Sequence, residues 1–317
     1  MSKRCMARVA AVLFSFVLAL IPKGSVANVQ PGSPAIKTAD IGNGITLHYV
    51  EQGKGTPAVF VHGSLSDGGY WADQLEPFSE RYRAIAYSRR YDFPNTNPTR
   101  AGYSAIVDAD DLAGLINTLR LGQVVVIGHS YGALTALFLA HRHPKLVRAL
   151  VLAEPPAVSL LSDLPGRQHA MGLAMLADIR RRMVLPMRAD FHKGDREAGI
   201  RAFMAYVFND PHAWDNMSLA ARRETLRDAH EWDVMLTTGT LFPDLRPATV
   251  KRITAPVLLM SGRKSYPFLR AIDQELALLL PHNQNVVFAE AGHQMWVQEP
   301  DECRRDVEAF LRRNNVP

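Results

Sequence analysis

Short apolar runs alternate along the chain with longer stretches in which apolar residues recur at helical spacing. Two alternating runs, residues 36–40 and 45–50, flank Gly42-Asn43-Gly44 and predict a β-hairpin. Further strands are predicted at residues 58–61, 82–87, 124–127, 149–153, 257–260 and 286–288. The uncharged runs among them are typical of strands that are buried on both faces of a parallel sheet. Because helical patterns follow most of these strands, the sequence predicts an α/β fold with a doubly wound, mostly parallel sheet of eight strands.

The alternation is interrupted between the sixth and seventh predicted strands. Residues 155–250 are far longer than an ordinary connection and are rich in helical periodicity. We expect them to form a helical cap inserted into one domain, whose core comprises residues 28–154 and 251–317. Active groups in such sheets lie at the carboxyl ends of the strands, and the cap is expected to cover them.

Residues 1–27 have the composition of an export signal. Three basic residues within the first eight positions precede an uncharged apolar run at residues 10–21, and small residues at positions 25 and 27 allow cleavage before Asn28. The apolar run is too short to span a bilayer. We therefore expect an exported protein, periplasmic or secreted, without stable membrane insertion after cleavage; an uncleaved anchor is the alternative.

Removal of this leader changes the charge of the chain. The whole sequence has 36 lysines and arginines against 31 aspartates and glutamates, a formal net charge of +5. Four of the basic residues lie in the leader, which leaves 32 against 31 in the mature chain. So small a surplus provides no basic surface for a nucleic acid, and we expect no nucleic-acid partner. The only cysteine left is Cys303, whose helical surroundings favour a packing role over reactivity.

One strand of the predicted sheet ends in a recognisable motif. The run Val124-Val125-Val126-Ile127 leads into Gly128-His129-Ser130-Tyr131-Gly132 and then directly into a helical pattern. A serine between strand and helix, with glycines two positions away on each side, has the arrangement of a nucleophile elbow. The helix that follows directs its N–H groups and its positive dipole end towards the serine. This context predicts Ser130 as a nucleophile; the alternative is a small residue in a turn.

Two more motifs directly follow predicted strands, as the elbow does. His62-Gly63-Ser64 follows the third predicted strand, and Gly292-His293 follows the last one. Together with the elbow, these motifs resemble the α/β-hydrolases, over residues 36–153 and 251–315. The resemblance implies serine hydrolase chemistry with an oxyanion hole made by the backbone N–H groups of Ser64 and Tyr131. It also implies that His62 braces this loop and is not itself catalytic.

The general base is predicted to be His293. A serine hydroxyl needs a partner that is neutral near pH 7 and accepts its proton in the transition state, and imidazole has a suitable pKa. Among eleven histidines, His293 alone follows the final core strand in an Ala-Gly-His turn. His141 and His143 are two residues apart at a helix end and point to different sides, so we expect no metal site. The chemistry needs neither a metal nor an organic cofactor.

A serine nucleophile and a histidine base need a third residue, an acid that orients the histidine. The position of this acid departs from the commonest pattern of the family. The expected Gly-x-x-Asp turn after the seventh strand reads Gly262-Arg263-Lys264-Ser265, so a serine stands in place of the aspartate. In some branches of the fold, including haloalkane dehalogenases, the acid follows the sixth strand, and Glu154 occupies that position. The order Ser130, Glu154, His293 also agrees with the order of this fold. We predict Glu154 as the acid, with Asp273 as the rival.

Apolar side chains of the cap are candidates for a substrate pocket. Seven of the eleven methionines lie in residues 155–250, together with several aromatic residues. Flexible methionines and aromatic rings suit an adaptable apolar pocket, although ordinary packing in the cap is the alternative. The candidates in the cap are Met171, Met175, Phe203 and Trp214, and a further candidate is Trp296, one turn past His293, for which packing in the core is the alternative.

The function predicted from these residues is hydrolysis of carboxylic esters or lactones of small to medium apolar compounds, through a Ser-His-Glu triad and an acyl-enzyme. A serine nucleophile disfavours the alkyl-enzyme chemistry of dehalogenases and epoxide hydrolases, which use an aspartate. Amide hydrolysis and carbon–carbon cleavage of diketones remain alternatives within the fold. A ligand receptor that keeps the hydrolase shell without turnover is an alternative of another class.

Overall fold

The computed structural model of the protein describes residues 34–237 and 239–317. The predicted leader and its cleavage site lie outside the described residues and stay predictions. No helix within the described ranges is long and apolar enough to cross a membrane.

Eight strands form one sheet, as the apolar runs predicted. Their order across the sheet is β1-β2-β4-β3-β5-β6-β7-β8. The first two pairings, β1 with β2 and β2 with β4, are antiparallel, and all the others are parallel. The strands are β1 (Lys37–Asp40), β2 (Thr46–Gln52), β3 (Pro57–Val61), β4 (Arg83–Tyr87), β5 (Val124–His129), β6 (Val147–Ala153), β7 (Val257–Gly262) and β8 (Asn283–Phe288).

The central strands owe their position to their apolar composition. Every residue of β5 and of β7 is buried. Burying a valine or leucine side chain fully contributes roughly 1.5–3 kcal/mol, which is why these uncharged runs occupy the middle of the sheet. Two apolar clusters, one on each face of the sheet, make up the core, and Cys303 is a buried free cysteine in one of them.

Helices cover both faces of the sheet and also form the insertion. The core helices are α1 (Ala72–Ser79), α2 (Ala105–Thr118), α3 (Tyr131–Arg142), α10 (Pro267–Leu279), α11 (Met295–Gln298) and α12 (Pro300–Arg313). Between β6 and β7 lie α4 (Gln168–Ile179), α5 (Leu185–His192), α6 (Arg196–Val207), α7 (Leu219–Arg227), α8 (His230–Thr237) and α9 (Pro247–Val250). A single π-helical segment, Arg180–Val184, joins α4 to α5. The long connection is thus helical, as its periodicity predicted.

Candidate active site

The nucleophile elbow is built at the junction of β5 and α3. Ser130 has φ 52° and ψ −120°, a conformation that few non-glycine residues adopt. Its backbone N–H donates to the carbonyl of Ala153 at 2.8 Å, which ties the elbow to the neighbouring strand. A Cβ at Gly128 would lie 2.6 Å from the Gly132 carbonyl oxygen, and one at Gly132 would lie 2.1 Å from the Val61 carbonyl oxygen. Only glycine allows these backbones to pack so closely.

Glu154 and His293 are brought together at the carboxyl ends of β6 and β8. Glu154 follows β6 directly, is completely buried, and has φ 49°. One carboxylate oxygen accepts a hydrogen bond from the Gly262 N–H at 2.8 Å, and the other lies 2.6 Å from Nδ1 of His293. Because the carboxylate is an acceptor, the Nδ1–H of His293 donates to it. The lone pair of His293 is then on Nε2, as a general base requires.

A second histidine holds the loop that carries His293. The Nε2–H of His129 donates to the backbone carbonyl of His293 at 2.7 Å. Its ring stacks on Tyr70, with centroids 5.2 Å apart and planes 6° apart. Burial, followed by the proximity of the His293 ring, lowers the pKa of His129 to about 3, so the His129 ring stays neutral. Nothing in the sequence pattern distinguished this contact, because its partner is a backbone atom 164 residues away.

The predicted oxyanion loop lies against the nucleophile. Ser64 and Tyr131 line the same cavity as Ser130 and His293. A Cβ added to Gly63 would lie 3.1 Å from the Cβ of Ser130, which shows how closely the loop approaches the elbow. The two residues predicted to supply the oxyanion hole thus lie beside Ser130, and the role of their N–H groups stays a prediction.

His62 fixes the shape of this loop. Its Nδ1 bonds to the Gly63 carbonyl at 2.9 Å, and its Nε2 accepts from the backbone N–H of Arg89 at 3.0 Å. Burial, and then the charge of Arg89, hold the pKa of His62 well below its usual range. A neutral ring with both nitrogens bonded to backbone groups has a structural role in this loop.

Asp273, the rival acid, lies in a different environment. It is buried in α10, and within the described residues neither carboxylate oxygen has a hydrogen-bond partner. Burial, followed by the charge of Glu154, raises the pKa of Asp273 well above its usual range. His293 bonds to Glu154 and not to Asp273. Ser265, which replaces the aspartate of the common pattern, is also buried.

The cavity above Ser130 is narrow and mostly apolar. It encloses about 440 Å³ between protein atoms, its opening included. Among the residues described, those that line it include neither lysine nor arginine, so His293 is its only basic side chain. The lining residues are Ser64, Ser130, Tyr131, Pro156, Met183, Met187, Phe203, Val207, Trp232, Leu241, Phe242, Phe268, Leu269 and His293.

Of the predicted pocket residues, the structure places only Phe203 in this lining. Met171 is 45 % exposed on the outer side of α4, and Met175 is half-buried against the core. Trp214 is buried elsewhere in the cap, where its Nε1–H donates to Glu197 at 3.0 Å. Trp296 packs edge-on against Trp71, with ring centroids 5.1 Å apart. The structure does not bring these four residues to the cavity, because sequence spacing alone does not show which apolar side chains of the cap, or of the segment after His293, turn towards it.

The methionines that do line the cavity are Met183 and Met187. Met183 lies within the π-helical segment Arg180–Val184, and Met187 lies in α5, just after that segment alters the helical repeat. Within residues 34–237 and 239–317, no group of three or more histidine, cysteine, aspartate or glutamate side chains could hold a metal ion.

Comparison with known proteins agrees with this geometry. Residues 58–306 match the model of the alpha/beta hydrolase family. The chain is 30% identical over 279 residues to 2-(acetamidomethylene)succinate hydrolase of Mesorhizobium japonicum, with 87% of this chain and 94% of that protein covered.

Two solved structures share the fold. The N-acyl homoserine lactone degrading enzyme Est816 superposes with a TM-score of 0.65 at 20% identity, covering 86% of this chain and 100% of that one. The carboxylesterase CesB of Bacillus subtilis superposes with a TM-score of 0.64 at 19% identity, covering 89% of this chain and 92% of that one.

Proposed function

Because the chain belongs to the alpha/beta hydrolase family, we propose that it hydrolyses carboxylic esters or lactones of small to medium apolar compounds by way of an acyl-enzyme on Ser130. The observation that carries this proposal is the buried Glu154 carboxylate 2.6 Å from Nδ1 of His293, beside a cavity that His293 and Ser130 line together. The wider class, a hydrolase, follows from the family and from its named relatives.

The proposed reaction has two steps. Ser130 Oγ attacks the substrate carbonyl while His293 Nε2 takes the hydroxyl proton, and Glu154 stabilises the imidazolium that forms. The N–H groups of Ser64 and Tyr131 hold the oxyanion of the tetrahedral intermediate. His293 returns the proton to the departing alcohol, which leaves an acyl-enzyme, and a water molecule activated by His293 then releases the acid.

The chemistry of the cavity favours a neutral substrate. A carboxylate in an apolar cavity without lysine or arginine would lose its hydration without gaining an ion pair. The Mesorhizobium relative acts on a succinate derivative, a dicarboxylate. This cavity therefore supports a different preference, for substrates whose flanking groups carry no charge.

The test is hydrolysis of p-nitrophenyl esters from acetate to decanoate, an N-acyl homoserine lactone and p-nitrophenyl hemisuccinate, by the wild type and by Ser130→Ala. We expect many turnovers on at least one neutral ester or lactone, a maximum at one chain length, and kcat/KM at least about tenfold lower for the hemisuccinate than for an uncharged ester of equal length. Ser130→Ala should lose turnover by about a thousandfold or more.

Other outcomes would point to the alternatives. A wild type that is inactive on every ester and lactone contradicts the proposal and favours amide or carbon–carbon cleavage. One slow turnover with retained product would contradict it in favour of the receptor. Preference for the hemisuccinate would overturn the assignment of a neutral substrate.

A further inference from the structure

A buried cluster of charged side chains lies directly beneath the predicted oxyanion hole. Its centre is the guanidinium of Arg89, which is fully buried. Arg89 Nη1 donates to Asp108 at 3.0 Å, and Nη2 donates to Glu231 at 2.6 Å and lies 3.3 Å from Asp92. Asp92 and Asp108 belong to the core, whereas Glu231 belongs to α8 of the cap. The cluster therefore joins the two parts of the molecule.

The same cluster holds the backbone on both sides of Ser64. Arg89 Nη2 also donates to the carbonyl of Gly63 at 3.1 Å. Glu231 uses its second carboxylate oxygen, Oε1, to accept the backbone N–H of Leu65 at 2.8 Å. Leu65 has φ 57°, a conformation that a leucine adopts only when its surroundings impose it. One glutamate of the cap thus fixes the residue after the proposed oxyanion donor.

The other proposed donor is in contact with the cluster as well. The guanidinium of Arg89 lies over the ring of Tyr131, 5.1 Å from its centroid. Arg89 therefore contacts the loop that carries Ser64 and the first residue of α3. The cluster therefore contacts both residues that are predicted to supply the oxyanion hole, Ser64 through its neighbours and Tyr131 through its ring.

We propose that Glu231 is a positioning residue of the hydrolase, which shapes the oxyanion hole by bonding the Leu65 N–H and Arg89 from the cap. This inference rests on the proposed function of Ser130. Glu231 and Leu65 are 166 residues apart in sequence, so the bond exists only while α8 lies against the core. The proposed geometry of the oxyanion hole then depends on the contact of α8 with the core.

We expect the loss of Glu231 to weaken stabilisation of the transition state and to leave substrate binding nearly unchanged. Hydrogen bonds of the oxyanion hole strengthen as charge develops on the carbonyl oxygen, and losing one donor costs about 10²–10³ in kcat. In Glu231→Gln the amide cannot accept from both the Leu65 N–H and Arg89, so the loop loses one of its two supports. We expect kcat to fall about tenfold or more, with KM within about threefold of wild type.

The experiment compares two inhibitors on wild type, Glu231→Gln and Glu224→Gln, each standardised by titration of active sites with a fluorophosphonate. An alkyl trifluoromethyl ketone matched to the best ester chain forms a tetrahedral adduct, whereas the corresponding methyl ketone resembles the ground state. Glu231→Gln should weaken the trifluoromethyl ketone in proportion to its loss of kcat/KM and leave the methyl ketone unchanged. Glu224, an exposed glutamate of the cap, serves as the matched control and should resemble wild type.

A purely structural role for Glu231 would lower the number of titratable sites and weaken both inhibitors equally, and that result would overturn the proposal. The proposal would also be overturned if Glu231→Gln had the kcat and both inhibition constants of the wild type. If the wild type is not labelled by the fluorophosphonate, the proposed function fails, and this inference fails with it.

Hydrogen exchange at the Leu65 amide tests the proposal without requiring that any variant fold. A buried N–H that donates to Glu231 should exchange slowly in the wild type, and faster in Glu231→Gln where that variant is folded. Exchange of the wild-type Leu65 amide at the rate of an unprotected peptide would contradict the bond on which the inference depends.

Discussion

Glu154 can serve the histidine because its backbone and side chain are both constrained. Its carboxylate is held at one oxygen by the Gly262 N–H, 2.8 Å away, and the other oxygen lies 2.6 Å from Nδ1 of His293. A carboxylate in that position keeps the proton on Nδ1 and stabilises the imidazolium that forms when Ser130 is deprotonated. We therefore predict that the glutamate performs the task that an aspartate after β7 performs in the common pattern.

The first prediction at the residue scale concerns this acid. Glu154→Gln should lower kcat by about 10³–10⁴, because an amide can donate to Nδ1 and so favour the wrong tautomer of His293. Asp273→Asn should keep kcat within about threefold of wild type, since Asp273 makes no bond to the histidine. Steady-state kinetics on the best ester measure kcat for both variants. An inactive Asp273→Asn beside an active Glu154→Gln would identify Asp273 as the acid.

A second prediction follows from the burial of Asp273. Burial and then the charge of Glu154 raise its pKa well above the ordinary value, so the folded protein holds this proton to a higher pH than the unfolded chain does. The unfolded chain releases the proton near pH 4. As pH rises above that value, the unfolded state binds fewer protons than the folded state, and wild-type stability falls until the folded pKa is reached.

Asparagine resembles the neutral carboxyl and does not titrate. Asp273→Asn should therefore raise the melting temperature by a few degrees at pH 8 and by much less at pH 4.5, since 1 kcal/mol corresponds to about 2–4 °C. Thermal unfolding followed by circular dichroism at the two pH values measures this difference. Asp73→Asn, at an exposed site, is the control. A difference that shrinks as pH rises would contradict a neutral Asp273.

Residues that follow the predicted core strands could be identified from the sequence. Ser130, Glu154 and His293 each follow a strand end, and the structure places them at one edge of the sheet, with Glu154 bonded to His293. His129 and Glu231 were missed because their partners are backbone groups 164 and 166 residues away. No local signal marks such contacts. The catalytic roles of Ser130, Glu154 and His293 stay predictions until kinetic measurements test them.

At the scale of elements, the turn after β7 decides where the histidine loop can lie. A Cβ at Gly262 would lie 2.6 Å from the carbonyl oxygens of Ala291 and Gly292, the two residues before His293. Such a distance is shorter than any ordinary carbon–oxygen contact, so the loop would have to move. The close approach of the two turns is what brings His293 within reach of Glu154.

The prediction is that Gly262→Ala displaces His293 and lowers kcat by about tenfold or more, with destabilisation of about 1–3 kcal/mol from the overpacked contact. Gly292→Ala is the matched control, because a Cβ there would have its nearest neighbours at 3.8 Å. Kinetics of ester hydrolysis and urea unfolding of both variants provide the measurement. Equal kcat values in the two variants would contradict the prediction, because the loop that carries His293 would then tolerate a Cβ at residue 262.

The elements of the core could be predicted more accurately than those of the cap. Buried parallel strands have continuous apolar runs, and the predicted hairpin turn has positive φ at Gly42, Asn43 and Gly44. In the cap, apolar residues face both the core and the cavity, and the π-helical segment Arg180–Val184 changes the direction of the side chains that follow. The helical nature of the cap was therefore predictable, but its inward face was not.

At the scale of the whole molecule, the fold gathers residues that are far apart in sequence. Parallel strands place Ser130 and Glu154 at the same edge of the sheet, and the His293 loop after β8 reaches Glu154. The cap supplies most of the apolar lining of the cavity, which sequence patterns alone could not locate. The predicted catalytic residues thus follow strands of the sheet, whereas most of the apolar lining of the cavity belongs to the cap.

The assignment of Ser130 as the nucleophile is tested most directly by reaction with an alkyl fluorophosphonate. The mass of the protein is measured after the reaction, and the modified peptide is identified. Such a reagent phosphonylates a serine only where a base and an oxyanion hole activate it. We expect one adduct per chain on Ser130 in the wild type and none in Ser130→Ala. No adduct on the wild type, or an adduct at another residue, would contradict the assignment of Ser130 as the nucleophile.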